Sequence, residues 1–152
     1  MKKIILSIAV ILASILNTGL LCAATPEQEK AFVDAYKKAF EAKDEATLKS
    51  FLYTKGADPM ALQFYTMMIT NDMGAKVTSI ELVALTPDDV KKADETKDLP
   101  GGQKAKLSLK PTRKLVLKTE TADGDNHSTS TSECFVAEKD GKLVIPVPAP
   151  VK

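Results

Sequence analysis

The amino-acid sequence predicts an α+β domain in which N-terminal helices pack on an antiparallel sheet of four to five strands. Three observations carry this prediction. Between residues 26 and 71, apolar residues recur at the three- and four-residue spacing of helices. From residue 104 onward, apolar and polar residues largely alternate, as they do in strands with one buried face. Asp-Gly pairs, which favour tight hairpins, occur between the late strand candidates.

The chain begins with the three-part layout of a secretory signal peptide. Two lysines follow the first methionine, residues 4–16 are almost entirely apolar, and small residues occupy positions 22–24. We therefore expect cleavage near Thr25 and a mature protein in the periplasm or outside the cell. After this cleavage no membrane attachment is expected.

Two other fates of the leader stay open. The apolar run is barely long enough to span a bilayer as an uncleaved anchor. A lipoprotein acylated on Cys22 is the second alternative, and the bulky Leu21 before that cysteine disfavours it. The expected organisation is a signal peptide at 1–24, a single domain at 25–148 and a frayed tail at 149–152.

The composition of the mature chain excludes several classes of partner. The leader holds two of the 21 basic residues and none of the 20 acidic ones, so the mature net charge is about −1. Such a chain has no general attraction to nucleic acid or to an anionic membrane. With Cys22 removed, Cys134 cannot form an internal disulfide, and we expect a buried thiol there, although an intermolecular bridge stays open.

The first helix is predicted to begin at Pro26. Thr25 and Gln28 have the residue types and spacing of a capping box, and proline suits the first helical position. The apolar stripe of this helix should face the core, and it contains Phe32, Tyr36 and Phe40.

Two further helices are expected before residue 75. Asp44 is the predicted cap of a short second helix that ends near Gly56. Asp58 is the predicted cap of a third helix that runs to about Asn71 and is closed by Gly74. This third helix is apolar nearly all round, so we expect it to be covered on more than one side.

The second half of the chain is predicted to consist mainly of strands. A strand is predicted at 77–85, followed by one or two helical turns from Thr86. Four consecutive strands should then form a meander, with hairpins at Asp123-Gly124 and Asp140-Gly141. The predicted strands of this meander cover 104–110, 113–121, 126–137 and the segment around Leu143 and Ile145.

This order of elements resembles the nuclear transport factor 2-like superfamily, which has the cystatin-like cone of ketosteroid isomerases and SnoaL-type polyketide cyclases. The matching features are the aromatic first helix, the short helix at 43–48, the apolar third helix and the late hairpins, over most of residues 26–147. The chain is also similar to small exported bacterial proteins of this superfamily that have no known activity. The resemblance implies a curved sheet wrapped around a helix, with a conical pocket between them.

The resemblance also suggests a catalytic alternative. Isomerase-like members use a tyrosine on the first helix and an acidic base some two dozen residues later, which places Tyr36 and Asp58 in those roles. Tyr36 would donate a hydrogen bond to a developing oxyanion, and Asp58 would move a proton. Against this, Asp58 precedes a proline at a helix start, where a capping carboxylate is expected. A carboxylate bonded to the amides of Met60 or Ala61 would argue against the enzyme.

Other polar residues give weaker signals. His127 and Cys134 lie seven positions apart on one predicted strand, about 23 Å apart and on opposite faces, so no dyad is expected. One histidine with nearby acids gives no convincing metal site, and no cofactor is predicted. The run of hydroxyl side chains at Ser128–Ser132 predicts either a solvent-exposed strand or the wall of a pocket. Lysines at 104–118 could form a basic surface for an anionic partner, or they could block edge pairing.

We conclude from the sequence that the protein is an exported, non-enzymatic domain that binds a small apolar or mixed ligand or another protein. A homodimer formed through the open sheet face is an expected partner state. The alternatives are a lyase or isomerase based on Tyr36 and Asp58, and an envelope scaffold that acts through its sheet surface. The ligand is expected between the helices and the sheet, against Tyr36, Phe40, Tyr65, Met68, Leu115 and Leu117.

Overall fold

The structure, a computed structural model, describes residues 24–99, 102–123 and 126–151 and has the predicted α+β class. The predicted signal peptide lies outside the described residues except for its last position, Ala24. The described helices are α1 (Pro26–Glu41), α2 (Glu45–Ser50), α3 (Pro59–Thr70) and α4 (Pro87–Asp94). The described strands are β1 (Leu52–Tyr53), β2 (Lys76–Val83), β3 (Lys97–Asp98), β4 (Lys104–Leu107), β5 (Arg113–Asp123), β6 (Asn126–Lys139), β7 (Lys142–Pro146) and β8 (Pro148–Pro150).

The strands form two sheets instead of one meander. The main sheet has the order β1-β7-β6-β5-β2, and it is mixed because β1 pairs in parallel with β7. The second sheet has the order β3-β4-β8. The expectation that residues 104–110 pair beside residues 113–121 is therefore wrong. Strand β5 has two edges, and β6 and β2 occupy both of them, so β4 pairs with β3 and β8.

The predicted frayed tail at 149–152 also needs correction, because residues 148–150 form a strand. Instead of a frayed tail from residue 149, β8 pairs with β4, with Ala149 opposite Lys106 and Pro150 opposite Ala105. The amide of Val151 donates to the carbonyl of Lys104 at 2.8 Å. Prolines without an amide hydrogen are tolerated here because β8 is an edge strand.

The predicted helix starts are confirmed. At α1 the Thr25 hydroxyl accepts from the Gln28 amide, and the Gln28 side chain accepts from the Thr25 amide. Asp44 caps α2 through the amide of Thr47. These bonds satisfy amides that a helix leaves without intrahelical partners.

Helix α1 supplies the centre of the core. Phe32, Tyr36 and Phe40 are buried in one cluster with sheet residues such as Leu115 and Ile145. The α1 rings also meet Phe51, with ring centroids 5.0 Å away from Phe32 and 5.3 Å away from Tyr36. The helix is hydrogen-bonded near both of its ends to segments that adjoin the main sheet, because Gln28 donates to the carbonyl of Gly141 in the turn between β6 and β7, and Gly74, just before β2, donates to the carbonyl of Phe40.

The expectation that α3 is covered on more than one side is wrong. Only Ala61 and Ile69 of this helix are fully buried. Met60, Phe64 and Met67 are 49%, 56% and 61% exposed. Helix α3 packs on one side only, where its buried residues join the core and its first turn meets β8, so an apolar face stays open to solvent.

One of the two predicted hairpin turns is confirmed, and the other lies partly outside the described residues. Asp140 and Gly141 both have positive φ, 52° and 73°, and connect β6 to β7 as a two-residue turn, as predicted. The other turn contains Gly124, which lies outside the described residues, although β5 and β6 pair up to Asp123 opposite Asn126.

A charged cluster attaches α4 to the main sheet. The Lys114 ammonium lies 3.1 Å from Asp89 Oδ1 and 3.2 Å from Glu133 Oε2. Asp89 also completes the capping box of α4, because its carboxylate accepts from the amide and the hydroxyl of Thr86. The backbone and hydroxyl bonds from Thr86, followed by the bond from Lys114, lower the pKa of the Asp89 carboxyl to about 2.

The burial of the α1 rings predicts a large effect of truncation. Phe40 is 2% exposed, so Phe40→Ala should lower the free energy of unfolding by about 3–5 kcal/mol. Phe64→Ala removes the same atoms from a side chain that is 56% exposed, and it should cost less than about 1 kcal/mol. Urea unfolding of both variants checks this, and equal losses would contradict the core as described.

The lowered pKa of Asp89 predicts a dependence of stability on pH. The folded value of about 2 lies below the unfolded value of about 3.9, so the stabilisation is complete above the unfolded value and is lost as pH falls toward the folded one. Asp89→Asn should therefore be less stable than the native protein at neutral pH, and the gap should narrow between about pH 4 and pH 2. Urea midpoints of both proteins across this range measure the gap, with Asp88→Asn as the exposed control. A gap that stays constant would contradict the assignment.

Candidate functional site

A cleft of about 380 Å³ lies between α3 and the second sheet. Its walls come from α3 and α4, from β3, β4 and β8 with the adjoining residues, and from one residue of β6. Its volume falls in the range typical of small-molecule sites. The walls are mostly apolar, with side chains that include Met60, Phe64, Tyr65, Leu99, Leu107 and Phe135.

Asp58 holds the two sides of this cleft together. Its amide donates to the carbonyl of Pro148 on β8 at 2.9 Å, which attaches the start of α3 to the second sheet. Its carboxylate Oδ1 accepts from the amides of Met60 at 2.8 Å and Ala61 at 3.0 Å. Met60, Ala61 and Pro148 all line the cleft, so this buried cap fixes part of its wall.

The polar groups of the cleft are mainly cationic. Lys92, Lys97 and Lys106 line it together with one acid, Glu95. The Lys106 ammonium lies 3.4 Å from the Asp94 carboxylate, so part of its charge is already compensated. The remaining excess of positive charge favours a ligand that carries an anionic group beside an apolar body.

Tyr65 adds an aromatic side chain to the apolar wall. Burial, with a smaller contribution from Cys134, raises the pKa of Tyr65 to about 12. The phenol is therefore protonated at neutral pH. Its ring meets that of Phe64 edge to face, with centroids 6.1 Å apart.

The structure places most of the predicted ligand residues in the filled core. Tyr36, Phe40, Leu115 and Leu117 are all less than 5% exposed. The space beside Tyr36 and Met68 measures only about 10 Å³, which is at most room for one water. Of the six predicted residues, Tyr65 lines the cleft. The conical pocket that the resemblance implies is not open between α1 and the sheet, because the α1 aromatic rings occupy that space.

Several residues that line the cleft were not predicted from the sequence. Leu99, Leu107 and Phe135 line the cleft because β4 belongs to the second sheet, which the predicted meander did not contain. The Pro-rich end of the chain carried the missing signal, since Pro148 and Pro150 mark an edge strand that needs a partner.

The two residues of the catalytic alternative have structural roles. Tyr36 is 3% exposed, and burial, followed by the charge of Cys134, raises the pKa of its phenol. The Asp58 carboxylate is bonded to the amides of Met60 and Ala61, which is the arrangement expected of a helix cap. Neither side chain lines the cleft, so the predicted pair of Tyr36 and Asp58 does not face it.

His127 and Cys134 lie in different environments. The His127 imidazole is exposed, with Nδ1 at 3.3 Å from Glu120 Oε1. Cys134 borders the small void beside Tyr36, and burial raises the pKa of its thiol to about 12. In the described ranges, no group of three or more His, Cys, Asp or Glu side chains is arranged to hold a metal ion. No helix in the described part of the chain has the length and apolarity needed to cross a membrane.

The lysines at 104–118 do not form a continuous basic surface. Lys114 contacts two carboxylates, Lys106 contacts Asp94, and Arg113 contacts Glu29 at 2.8 Å. The β4 lysines also lie on a different sheet from those of β5. This electrically mixed surface counts against the version of the scaffold hypothesis that depends on a basic patch.

Comparison of the chain with family models, with curated proteins and with solved structures finds no match.

The environment of Cys134 predicts an unreactive thiol. With a pKa of about 12, only about one thiol in ten thousand is ionised at pH 8, and the thiolate is the nucleophile. Iodoacetamide should label Cys134 slowly in the folded protein and rapidly in urea, as measured by mass spectrometry of peptides. Thr131→Cys, at an exposed position of the same strand, should be labelled rapidly without urea. Equal native labelling rates at the two positions would contradict the raised pKa of Cys134, whose side chain is half-buried.

Proposed function

We propose that the protein is a non-enzymatic binding protein for a small amphiphilic molecule, which it holds in the cleft between α3 and the second sheet. The observation that carries the proposal is the apolar cleft itself, about 380 Å³ in volume and open to solvent beside exposed Met60 and Phe64. Apolar side chains left exposed around a concave site are a usual mark of ligand binding.

The chemistry of the lining indicates the class of ligand. An apolar body would pack against the side chains of Phe64, Leu107 and Phe135, while an anionic group would meet Lys92 and Lys97. A chain of eight to twelve carbons with a carboxylate or sulfonate is a molecule of suitable size for a cleft of about 380 Å³.

The proposal includes export, which rests on the sequence of residues 1–24 alone. A carrier outside the cytoplasm needs no catalytic group, and the capped Asp58 and the buried Tyr36 are in keeping with that role. The resemblance to the nuclear transport factor 2-like superfamily stays a prediction, and the proposed site does not depend on it.

Binding of a fluorescent amphiphile tests the proposal. Anilinonaphthalene sulfonate should become fluorescent on the native protein, and decanoate should displace it. Phe64→Asp places a carboxylate in the apolar wall, so it should weaken binding of both probes by about tenfold or more.

Met67→Asp is the matched control. Met67 lies one turn further along α3 and is 61% exposed, but it does not line the cleft. This variant should bind the probes as the native protein does, and circular dichroism should show both variants folded. Absence of saturable binding, or equal loss in the two variants, would reject the cleft as the ligand site.

A further inference from the structure

Half of strand β6 has a backbone edge that no strand covers in the described part of the chain. On one side, β5 pairs with β6 from Asn126 to Val136. On the other side, β7 pairs only with residues 137–139. Residues 127–133 are all exposed, so their outward amides and carbonyls face solvent along this open edge. We call residues 127–133 the open segment of β6.

The centre of the open segment has none of the features that usually protect a strand edge. It contains no lysine, proline or bulge, and its central five residues are serines and threonines, which suit an extended strand. Strand β2, at the other edge of the main sheet, does have such protective features. Strand β2, which pairs with β5 alone, carries exposed Lys76 and Glu81 and has a register shift between Val77 and Ser79. One edge is therefore protected against strand addition and the other is not.

We propose that the open segment pairs with the open segment of a second copy of this chain, antiparallel and about a two-fold axis at Ser130. The two main sheets then form one continuous sheet across the dimer. The proposal rests on the strand edge and its charges, and it is independent of the ligand cleft.

The charges of the segment select this register. An antiparallel pair related by a two-fold axis places residues of the same face opposite each other. With the axis at Ser130, His127 of each copy lies opposite Glu133 of the other, and the residues between them pair hydroxyl with hydroxyl. The only acid and the only histidine of the segment thus lie opposite each other, twice in the dimer.

The neighbours of these two residues are compatible with the pairing. His127 already contacts Glu120, and Glu133 contacts Lys114. In the dimer, Glu120 and His127 of one copy then lie beside Glu133 and Lys114 of the other at each end of the joined strands, so acidic and basic side chains alternate there. A pair of seven-residue segments is a small interface, so the dimer should be weak and dependent on concentration.

Sedimentation equilibrium tests the self-pairing. The full gene is expressed with its own leader, and mass spectrometry of the purified protein records the chain that results. We expect a monomer–dimer equilibrium at micromolar to sub-millimolar concentration. Ser130→Lys brings two lysines together at the axis, so it should weaken the dimer by roughly tenfold or more. Thr121→Lys, exposed on β5 and away from the open edge, is the matched control and should leave the equilibrium unchanged.

A double-mutant cycle tests the register. His127→Lys gives each Glu133 a permanent positive partner, so it should tighten the dimer several-fold. In a Glu133→Gln background the same substitution should have no such effect, because the acceptor charge is gone. Glu133→Gln alone should weaken the dimer.

Each result decides part of the proposal. A protein that stays monomeric over the whole range overturns the self-pairing, including the case in which another protein co-purifies along β6. A dimer that Ser130→Lys leaves intact overturns the edge as its site. A dimer lost in Ser130→Lys but without coupling between positions 127 and 133 overturns the axis at Ser130.

Discussion

The packing of the α1 aromatic row on the main sheet is the interaction on which the rest of the structure depends. Phe32, Tyr36 and Phe40 occupy the core face of β5 and its neighbours. Phe51, at the end of α2, packs against the rings of Phe32 and Tyr36. Because these rings fill the space between helix and sheet, little volume remains there for a ligand. The larger apolar space forms elsewhere, where the second sheet and α3 meet.

The second sheet exists because β7 leaves β6 after a short pairing. β7 then meets β1, and the chain continues into β8, which pairs with β4. This departure has two results. It leaves a gap beside α3 that becomes the cleft, with Asp58 joining its two sides, and it leaves the open segment of β6 without a strand beside it. The proposed ligand cleft and the proposed dimer edge thus both follow from the short pairing of β7 with β6.

The sequence predicted the local structure better than the long-range pairing. Helix caps at Thr25, Asp44 and Asp58 and the turn at Asp140 were readable because capping and turn chemistry depend on a few adjacent residues. The choice of β2 over β4 as the neighbour of β5 depends on residues far apart in the chain, which alternation alone does not encode.

The site was predictable only in part for the same reason. Tyr65 was identified as an aromatic residue that could face a ligand, and it does line the cleft. Leu107 and Phe135 could not be identified, since their role follows from the position of the second sheet. Periodicity also could not show that α3 is packed on one side only, because an apolar helix has the same composition whether it is covered or exposed.

The contacts of Lys114 give the two walls of the cleft different physical character. The wall formed by α3 is held by apolar packing and by the Asp58 cap, neither of which salt weakens much. The wall formed by α4, which carries Lys92, is held through the buried Ala93 and through the contacts of Lys114 with Asp89 and Glu133. Dissolved ions screen the second kind of attachment more strongly than the first. The wall formed by α4 is therefore the more sensitive of the two to ionic strength, mainly through the exposed Glu133 contact, because Lys114 and Asp89 are largely shielded from solvent.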